Sequence, residues 1–342
     1  MERDRPRWFD AAMARLFAGR DLDAATVTVA CRDLVADRVE PVLAAAFLVA
    51  LRTKGESAEE ITAAVGVLRE SMVRLEVDGP VVDTCGTGGD DAGTFNISTA
   101  AAIVASACGV RVVKHGNRAV SGKTGSADVL RELGVPIESG VEWARECLNR
   151  MGFAFCYAPH FHPGMANVAP LRKSLGVRTI FNLLGPLANP AGAKHQLIGV
   201  GKRELLDPIA WAVAKLGTTR TVVVHGSDGL DEVTLSGPTH VCIVENGIVR
   251  SEQWTPADFG LESATVHQIL AANAAESATT IRRVLNGESS PASRYVVANA
   301  AATLWTYGMT DSLKSAAQHA TEVIKSGAAA AALARLAERK GD

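Results

Sequence analysis

The stretch Asp83-Thr84-Cys85-Gly86-Thr87-Gly88-Gly89-Asp90-Asp91-Ala92-Gly93-Thr94-Phe95-Asn96-Ile97-Ser98-Thr99 decides how this chain folds. Val81-Val82 runs into it as the end of a short strand. Gly86, Gly88, Gly89 and Gly93 lack a Cβ, so the backbone can turn sharply and bring its N–H groups toward an anion. Ser98-Thr99 then opens an apolar run, Ala100 to Cys108, that closes at Gly109. Ser98 is expected as the N-cap of that helix and Gly109 as the residue just past its end. A strand, a glycine loop and a helix N-terminus in this order suit phosphate, because unpaired N–H groups and the helix dipole both favour negative charge. The glycines fit neither G-x-x-x-x-G-K-[ST] nor a clean G-x-G-x-x-G, so no nucleotide fold follows from them alone.

Downstream, the same texture repeats. Val110-Arg111-Val112-Val113 reads as a strand that delivers Lys114-His115-Gly116-Asn117-Arg118. Gly122, Gly125 and Ser126 lead into a helix, Ala127 to Leu133, stopped by Gly134. A helix over Trp143–Met151 and a strand over Phe153–Tyr157 follow. Ala158 to Met165 holds two prolines and is expected to be irregular. Helices are expected over Val168–Leu175 and from Thr179 up to Gly185-Pro186, then a strand, Gln196–Gly201, and a helix, Leu205–Leu216. Thr221–Val224 is a strand running into His225-Gly226-Ser227-Asp228-Gly229-Leu230-Asp231-Glu232, with further strands around 241–250. Helices over Val266–Ala275, Glu276–Leu285, Tyr295–Tyr307 and Ser312–Glu338 close the chain. This alternation predicts an α/β fold with a central, mostly parallel sheet and ligands at the strand ends.

Upstream, residues 1–75 read as helices. Asp23 is expected to cap one, Pro41 to open another that closes near Gly55, and Ser57-Ala58-Glu59-Glu60 has the form of a capping box. An apolar surface left over on this small helical domain would suit a dimer interface.

Lysine and arginine total 35 against 37 acidic residues, a balance that gives no bulk attraction to nucleic acid or membrane. No two of the six cysteines stand in a C-x-x-C pair, which argues against zinc and a disulfide framework and for reduced thiols in a cytoplasmic protein. No apolar segment after Met1-Glu2-Arg3-Asp4-Arg5 has the form of a signal peptide, and Val42–Leu51 is too short to span a bilayer.

Three post-strand segments carry complementary chemistry. The Gly86–Thr99 loop offers N–H groups and hydroxyls, the Lys114–Ser126 loop cations, and Asp231-Glu232 hard oxygens of the kind magnesium accepts beside water and phosphate oxygens. Taken singly, adjacent carboxylates most often mark a solvated turn, and a lone lysine a surface charge. Together the segments point to a magnesium-bound polyphosphate or diphosphate.

Their wording is more specific. Gly86-Thr87-Gly88-Gly89-Asp90, Asn96-Ile97-Ser98-Thr99, Lys114-His115-Gly116-Asn117-Arg118, Gly125-Ser126-Ala127-Asp128, Phe181-Asn182-Leu183-Leu184-Gly185-Pro186-Leu187 and His225-Gly226 with Asp231-Glu232 occur in order along the chain. In this the sequence closely resembles the anthranilate phosphoribosyltransferase family of tryptophan biosynthesis. The resemblance implies transfer of 5-phosphoribosyl from 5-phosphoribosyl-1-diphosphate to the amine of anthranilate, with release of diphosphate. It implies a nucleoside-phosphorylase-like fold, a magnesium cofactor and a homodimer through the helical domain, with no nucleic-acid or membrane partner. Residues 1–75, with a helical insertion near 165–190, would form the helical domain; 76–164 and 191–342 would form the α/β domain. Gly86, Gly89, Asp90, Thr94, Asn96, Ser98, Thr99, Lys114 and Ser126 would bind the phosphoribosyl diphosphate. Gly86, Asn117, Arg172, His115, His162, Gly185 and Pro186 would line the anthranilate site, the arginine toward the carboxylate. Ser98, Asp231 and Glu232 would bind metal, and no covalent nucleophile or obligatory base is implied. Ser121-Gly122 departs from the family's usual pair of serines, which leaves a hydroxyl contact there in question; Lys123 and Thr124 carry no assigned role. A nucleoside phosphorylase would carry a Lys-His-Ser-Thr-Gly-Gly wording after the second strand, and a nucleic-acid-binding relative a basic surface. Neither fits Lys114-His115-Gly116-Asn117-Arg118 and the formal charge of −2.

Overall fold

A computed structural model describes residues 5–119, 124–138 and 140–338. Four helices open the chain: α1 (Phe9–Phe17), α2 (Ala24–Val35), α3 (Pro41–Lys54) and α4 (Ala58–Ser71). Their starts are set locally. Asp23 accepts the Thr26 N–H, Pro41 stands at the first position of α3, and Ser57 and Glu60 exchange both bonds of a capping box. Gly55 ends α3 at φ +88°, a conformation glycine adopts without strain.

The α/β part follows in chain order: β1 (Val82–Gly86), α5 (Ile97–Ala107), β2 (Val112–Gly116), α6 (Ser126–Glu132), α7 (Gly140–Met151), β3 (Phe153–Tyr157), α8 (Ala158–Phe161), α9 (Met165–Leu175) and α10 (Phe181–Leu184). Then come β4 (His195–Gly199), α11 (Leu206–Lys215), β5 (Arg220–Gly226), β6 (Thr239–Glu245), β7 (Ile248–Trp254), α12 (Ala274–Leu285), α13 (Pro291–Tyr307), α14 (Leu313–Lys325) and α15 (Ala328–Ala337). The seven strands form one sheet in the order β3-β2-β1-β4-β5-β6-β7. Pairing is parallel from β3 to β5 and antiparallel across β5-β6-β7, so the sheet is mostly parallel. The molecule is thus a small helical N-terminal domain plus a larger α/β domain.

The chain builds outward from β1 to β2 and β3, then crosses back to place β4 on the other side of β1. A reversal of this kind opens a crevice at the carboxyl ends of β1 and β4, where open α/β sheets bind ligands. Gly86 and Gly199 are paired there, one at the last residue of each strand.

One apolar cluster fills the sheet face covered by α5 and α13. A second joins α1–α4 to α9, α10, α11 and the opposite face of β4–β6, through Leu48, Ile61, Leu68, Phe181, Ile198, Ile209 and Val244. The helical bundle therefore shares its core with the sheet instead of closing on itself.

Several sequence expectations are corrected. β1 runs through Gly86 and β2 through Gly116, so Lys114 and His115 lie within a strand, not in a loop after it. Ser98 is not the N-cap of α5: Asn96 is, and Ser98 stands in the first turn. Residues 158–161 form the short α8, because Pro159 stands in the first turn, where no helical N–H is needed. α9 begins at Met165, ahead of the expected Val168, and carries Pro170 within it. Gly185-Pro186-Leu187 continues α10 as a 3-10 turn. Of the helix expected over 266–275 only a 3-10 turn, Val266–Ile269, forms. The last helix is two, broken at Gly327, whose φ is +79°.

Candidate active site at the switch point

The floor of the crevice is backbone without side chains. A Cβ on Gly86 would lie 2.4 Å from Asp231 Oδ2, and one on Gly199 only 1.6 Å from the Asp231 carbonyl oxygen. A Cβ on Gly201 would come within 2.8 Å of the backbone at Gly89 and Asp90. Glycine at these positions is what lets the segment after β5 lie directly over β1 and β4. The Thr87 N–H donates to the Gly199 carbonyl at 2.8 Å and continues the β1–β4 pairing into the loop.

Asp231 and Glu232 organise what stands above that floor. Asp231 Oδ2 accepts the Gly88 N–H at 2.9 Å, and Glu232 Oε1 accepts the Ser98 N–H at 3.1 Å. The second bond puts a carboxylate on one of the orphan donors of α5's first turn, where the helix dipole favours negative charge. Loss of hydration raises the pKa of both carboxyls; Asp90 beside Asp231, and Asp231 beside Glu232, raise them further. Behind the pair, the buried Asn299 of α13 fixes the chain: its Oδ1 accepts the Val233 N–H at 2.9 Å and its Nδ2 donates to the Val233 carbonyl at 3.0 Å. Asn299 and Thr303 also line a cavity of about 10 Å³ with Glu232, Ser98 and Thr84, room for about one water.

The strand-borne cation is used inside the protein. Lys114 is buried, and its Nζ donates to the Thr84 carbonyl and, at 3.3 Å, to Ser98 Oγ. Lys114 thus joins β1 and the start of α5 to β2. Asp83, also buried, accepts the His115 N–H at 3.1 Å and Asn189 Nδ2 at 2.8 Å. Burial pushes its carboxyl up to about 6, against the opposing pull of Lys114.

The remaining expected residues fall into two groups. Asn96 Oδ1 accepts hydroxyl bonds from Thr124 at 2.8 Å and Ser277 at 3.0 Å, which links the glycine loop to the start of α6 and to α12. Thr94 bridges to Leu270, and Thr99 is buried with its hydroxyl unbonded. Ser126 opens α6, its Oγ 2.1 Å from where a Gly116 Cβ would be; the Asn117 carbonyl accepts the Ala127 N–H at 3.2 Å.

A second group lies beside the first. His115 Nδ1 meets the Gly185 carbonyl at 2.9 Å, and the His115 and His162 rings are 4.9 Å apart, tilted at 49°. Pro186 is buried next to Gly185. Burial takes His115 down to about 3 and also lowers His162, so both are neutral at pH 7. Arg172, on α9, is half-buried; desolvation and then the neighbouring Arg178 lower its pKa. Asn117 is exposed at the end of β2. Ser121, Gly122 and Lys123 lie outside the described residues.

The three chemistry-bearing segments therefore meet on one side of the sheet, at its switch point. Sequence reasoning missed Arg178, Asp83 and Asn299. The first lies in an unremarkable Val177-Arg178-Thr179, and the other two in apolar runs, so only contacts distant in sequence reveal them.

A helical bundle joined to an α/β unit is the arrangement of a glycosyl transferase family, and this chain matches both of its parts. The model of that family's helical bundle domain matches residues 11–72, and the model of its a/b domain matches residues 78–330. An anthranilate phosphoribosyltransferase from Rhodospirillum rubrum is 46% identical over 324 residues, 95% of this chain and 93% of that one. The crystal structure of the Thermus thermophilus enzyme superposes with a TM-score of 0.88 at 43% identity, over 95% of this chain and 98% of that one. The Saccharomyces cerevisiae enzyme in complex with PRPP and Mg gives 0.86 at 29% identity, covering 96% of both chains; it is also known in complex with 4-fluoroanthranilate. The chain belongs to the anthranilate phosphoribosyltransferase family.

Proposed function

We infer that this chain is the anthranilate phosphoribosyltransferase step of tryptophan biosynthesis. It transfers 5-phosphoribosyl from 5-phosphoribosyl-1-diphosphate to the amine of anthranilate and releases diphosphate. The observation that carries the reading is the convergence of the glycine loop and the α5 N-terminus on Asp231 and Glu232.

The donor set fits magnesium. Two desolvated, mutually repelling carboxylates and the Ser98 hydroxyl offer hard oxygens, and among the described residues no three His, Cys, Asp or Glu side chains gather into a complete metal cage. Magnesium is commonly held in this way, by one or two carboxylates plus substrate oxygens and water. When bound, it would offset the negative charge that grows on the departing diphosphate.

The chain's own groups account for the rest of a dissociative displacement. Backbone N–H groups of the Gly86–Thr99 loop, with Asn96, Ser98 and Thr99, hold the diphosphate at the positive end of α5; Gly86, Gly89 and Asp90 hold the ribose and diphosphate, Thr94 belongs to the same phosphoribosyl diphosphate site, and Ser126 grips a phosphate. Lys114 acts beside Ser98, from beneath the loop. Arg172 pairs with the acceptor's carboxylate, and Asn117, Gly185, Pro186 and the neutral His115 and His162 shape a slot for its ring. The aryl amine needs positioning more than activation, since the ribosyl carbon it attacks is already electron-poor. No side chain is required as a covalent nucleophile or obligatory base.

Residues 1–75 and 165–190 make the helical domain, and 76–164 with 191–342 the α/β domain; the packing of α1–α4 with Val168 and Phe181 supports grouping 165–190 with the bundle, in a core that continues into the sheet. Phe17 and Val42 are 78% and 71% exposed on α1 and α3, an apolar surface that supports a homodimer through this domain. No helix among the described residues is long and apolar enough to cross a membrane, and all six cysteines are free thiols. Both fit a cytoplasmic enzyme.

The test is the loss of anthranilate fluorescence on mixing with phosphoribosyl diphosphate, with and without magnesium. Activity that needs both is expected; unchanged fluorescence with all components present would sink the reading. Replacing Asp231 by Asn and Glu232 by Gln together should shift or abolish the magnesium requirement.

A further inference from the structure

We propose that Arg178 is a diphosphate-binding residue, presented to the glycine loop from the helical side of the crevice. The inference rests on the functional reading above and adds a contact that the sequence motifs do not contain.

The placement is built by tertiary structure. Gly176 ends α9 in the left-handed conformation, at φ +62°, and the chain turns back toward the sheet before α10. Arg178 leaves this turn and lays its guanidinium on Gly88 and Gly89. Its Nη2 donates to the Thr87 carbonyl at 2.8 Å. Nη1 is 2.0 Å from where a Gly89 Cβ would stand, so the bare backbone at 89 is what admits the group. Gly89 also sits at φ +79°.

The charges around it explain why a cation belongs there. Asp231, Asp91 and Asp90 all act on Arg178, yet among the described residues no carboxylate closes on it as an ion pair. Arg52, on α3, repels it. Lys114 is bonded to Thr84 and Ser98 beneath the loop. An incoming diphosphate thus meets Asp90, Asp91, Asp231 and Glu232. Arg178 is a planar fork of N–H donors, with one hydrogen bond to the Thr87 carbonyl, set against the loop's backbone amides. A guanidinium suits two oxygens of one phosphate, and a lysine in its place would give a point charge only.

The test uses the full-length enzyme. Titration calorimetry measures binding of inorganic diphosphate in magnesium, and steady-state kinetics measure both Michaelis constants, for wild type, Arg178→Gln and Arg178→Lys. Arg178→Gln should weaken diphosphate binding and raise the Michaelis constant for phosphoribosyl diphosphate by about tenfold or more, with that for anthranilate changed less than about twofold. Arg178→Lys should fall between. A guanidinium that only ties the two domains together would lower the melting temperature of Arg178→Gln and leave diphosphate affinity as in wild type. That outcome, or equal changes for both substrates, overturns the proposal. Failure of the wild-type enzyme to bind diphosphate in magnesium would instead remove the functional reading, and this inference with it.

Discussion

Arg172 and His115 show how single side chains are tuned by what surrounds them. Arg172 is half-buried beside a second guanidinium, an arrangement that favours an anionic partner. Arg172→Ala should therefore raise the Michaelis constant for anthranilate about tenfold or more, and that for phosphoribosyl diphosphate much less, because the charge-assisted bond goes to the acceptor's carboxylate. Equal effects on the two constants would remove it from that role. His115 is held neutral, with a pKa of about 3 against 6.5 in the unfolded chain. Above pH 6.5 both states are neutral and the residue contributes fully. Below it the unfolded chain takes up a proton that the folded one refuses, so stability is lost as pH falls. Between about pH 7.5 and about pH 5, wild type should lose about 2 kcal/mol relative to His115→Asn, by proton linkage. Denaturant melts at a series of pH values would check it, and a difference independent of pH would contradict the buried neutral ring.

Elements place these residues in register. β2 delivers Lys114 and His115 on opposite faces of one strand, as the alternation of a sheet requires. Lys114 reaches Ser98 at the start of α5, and His115 the Gly185 carbonyl at the start of the 3-10 turn. α13 performs the comparable service for the carboxylate pair, because Asn299 closes both hydrogen bonds of Val233 next door. Asn299→Leu keeps the volume and leaves a buried N–H and carbonyl unpaired, at a cost of roughly 2–4 kcal/mol. The magnesium concentration for half-maximal activity should rise as well, since Asp231 and Glu232 lose their anchor. Thermal unfolding and a metal titration on the same variant would test both effects. A variant as stable as wild type would show that the backbone finds other partners.

At the scale of the molecule, α1–α4 share an apolar core with one face of the sheet, while Phe17 and Val42 remain outside it. If this face joins two copies, Phe17→Asp combined with Val42→Asp should convert a dimer to a monomer in light scattering. The switch-point site, on other elements, should keep its diphosphate affinity. A wild-type monomer at micromolar concentration would rule the dimer out.

What the sequence determined by itself was whatever local chemistry controls. Asp23 and the Ser57/Glu60 pair start helices by bonds that close within a turn, Pro41 starts one by its fixed φ, and Gly109 and Gly134 end helices by adopting positive φ. The alternation of strands and helices, and the loop wording from Gly86 to Glu232, were legible for the same reason. Local signals misled at Ser98, where a carboxylate 134 positions away satisfies the helix start, and at Lys114, which a strand running on to Gly116 draws into the interior. Tertiary structure alone decided that Gly86, Gly199 and Gly201 form a floor beneath Asp231, that Asn299 holds the carboxylate segment and that Arg178 lies on Gly89. Those contacts join residues that no period or motif connects, and they arise only when the crossover from β3 to β4 brings the strand ends together.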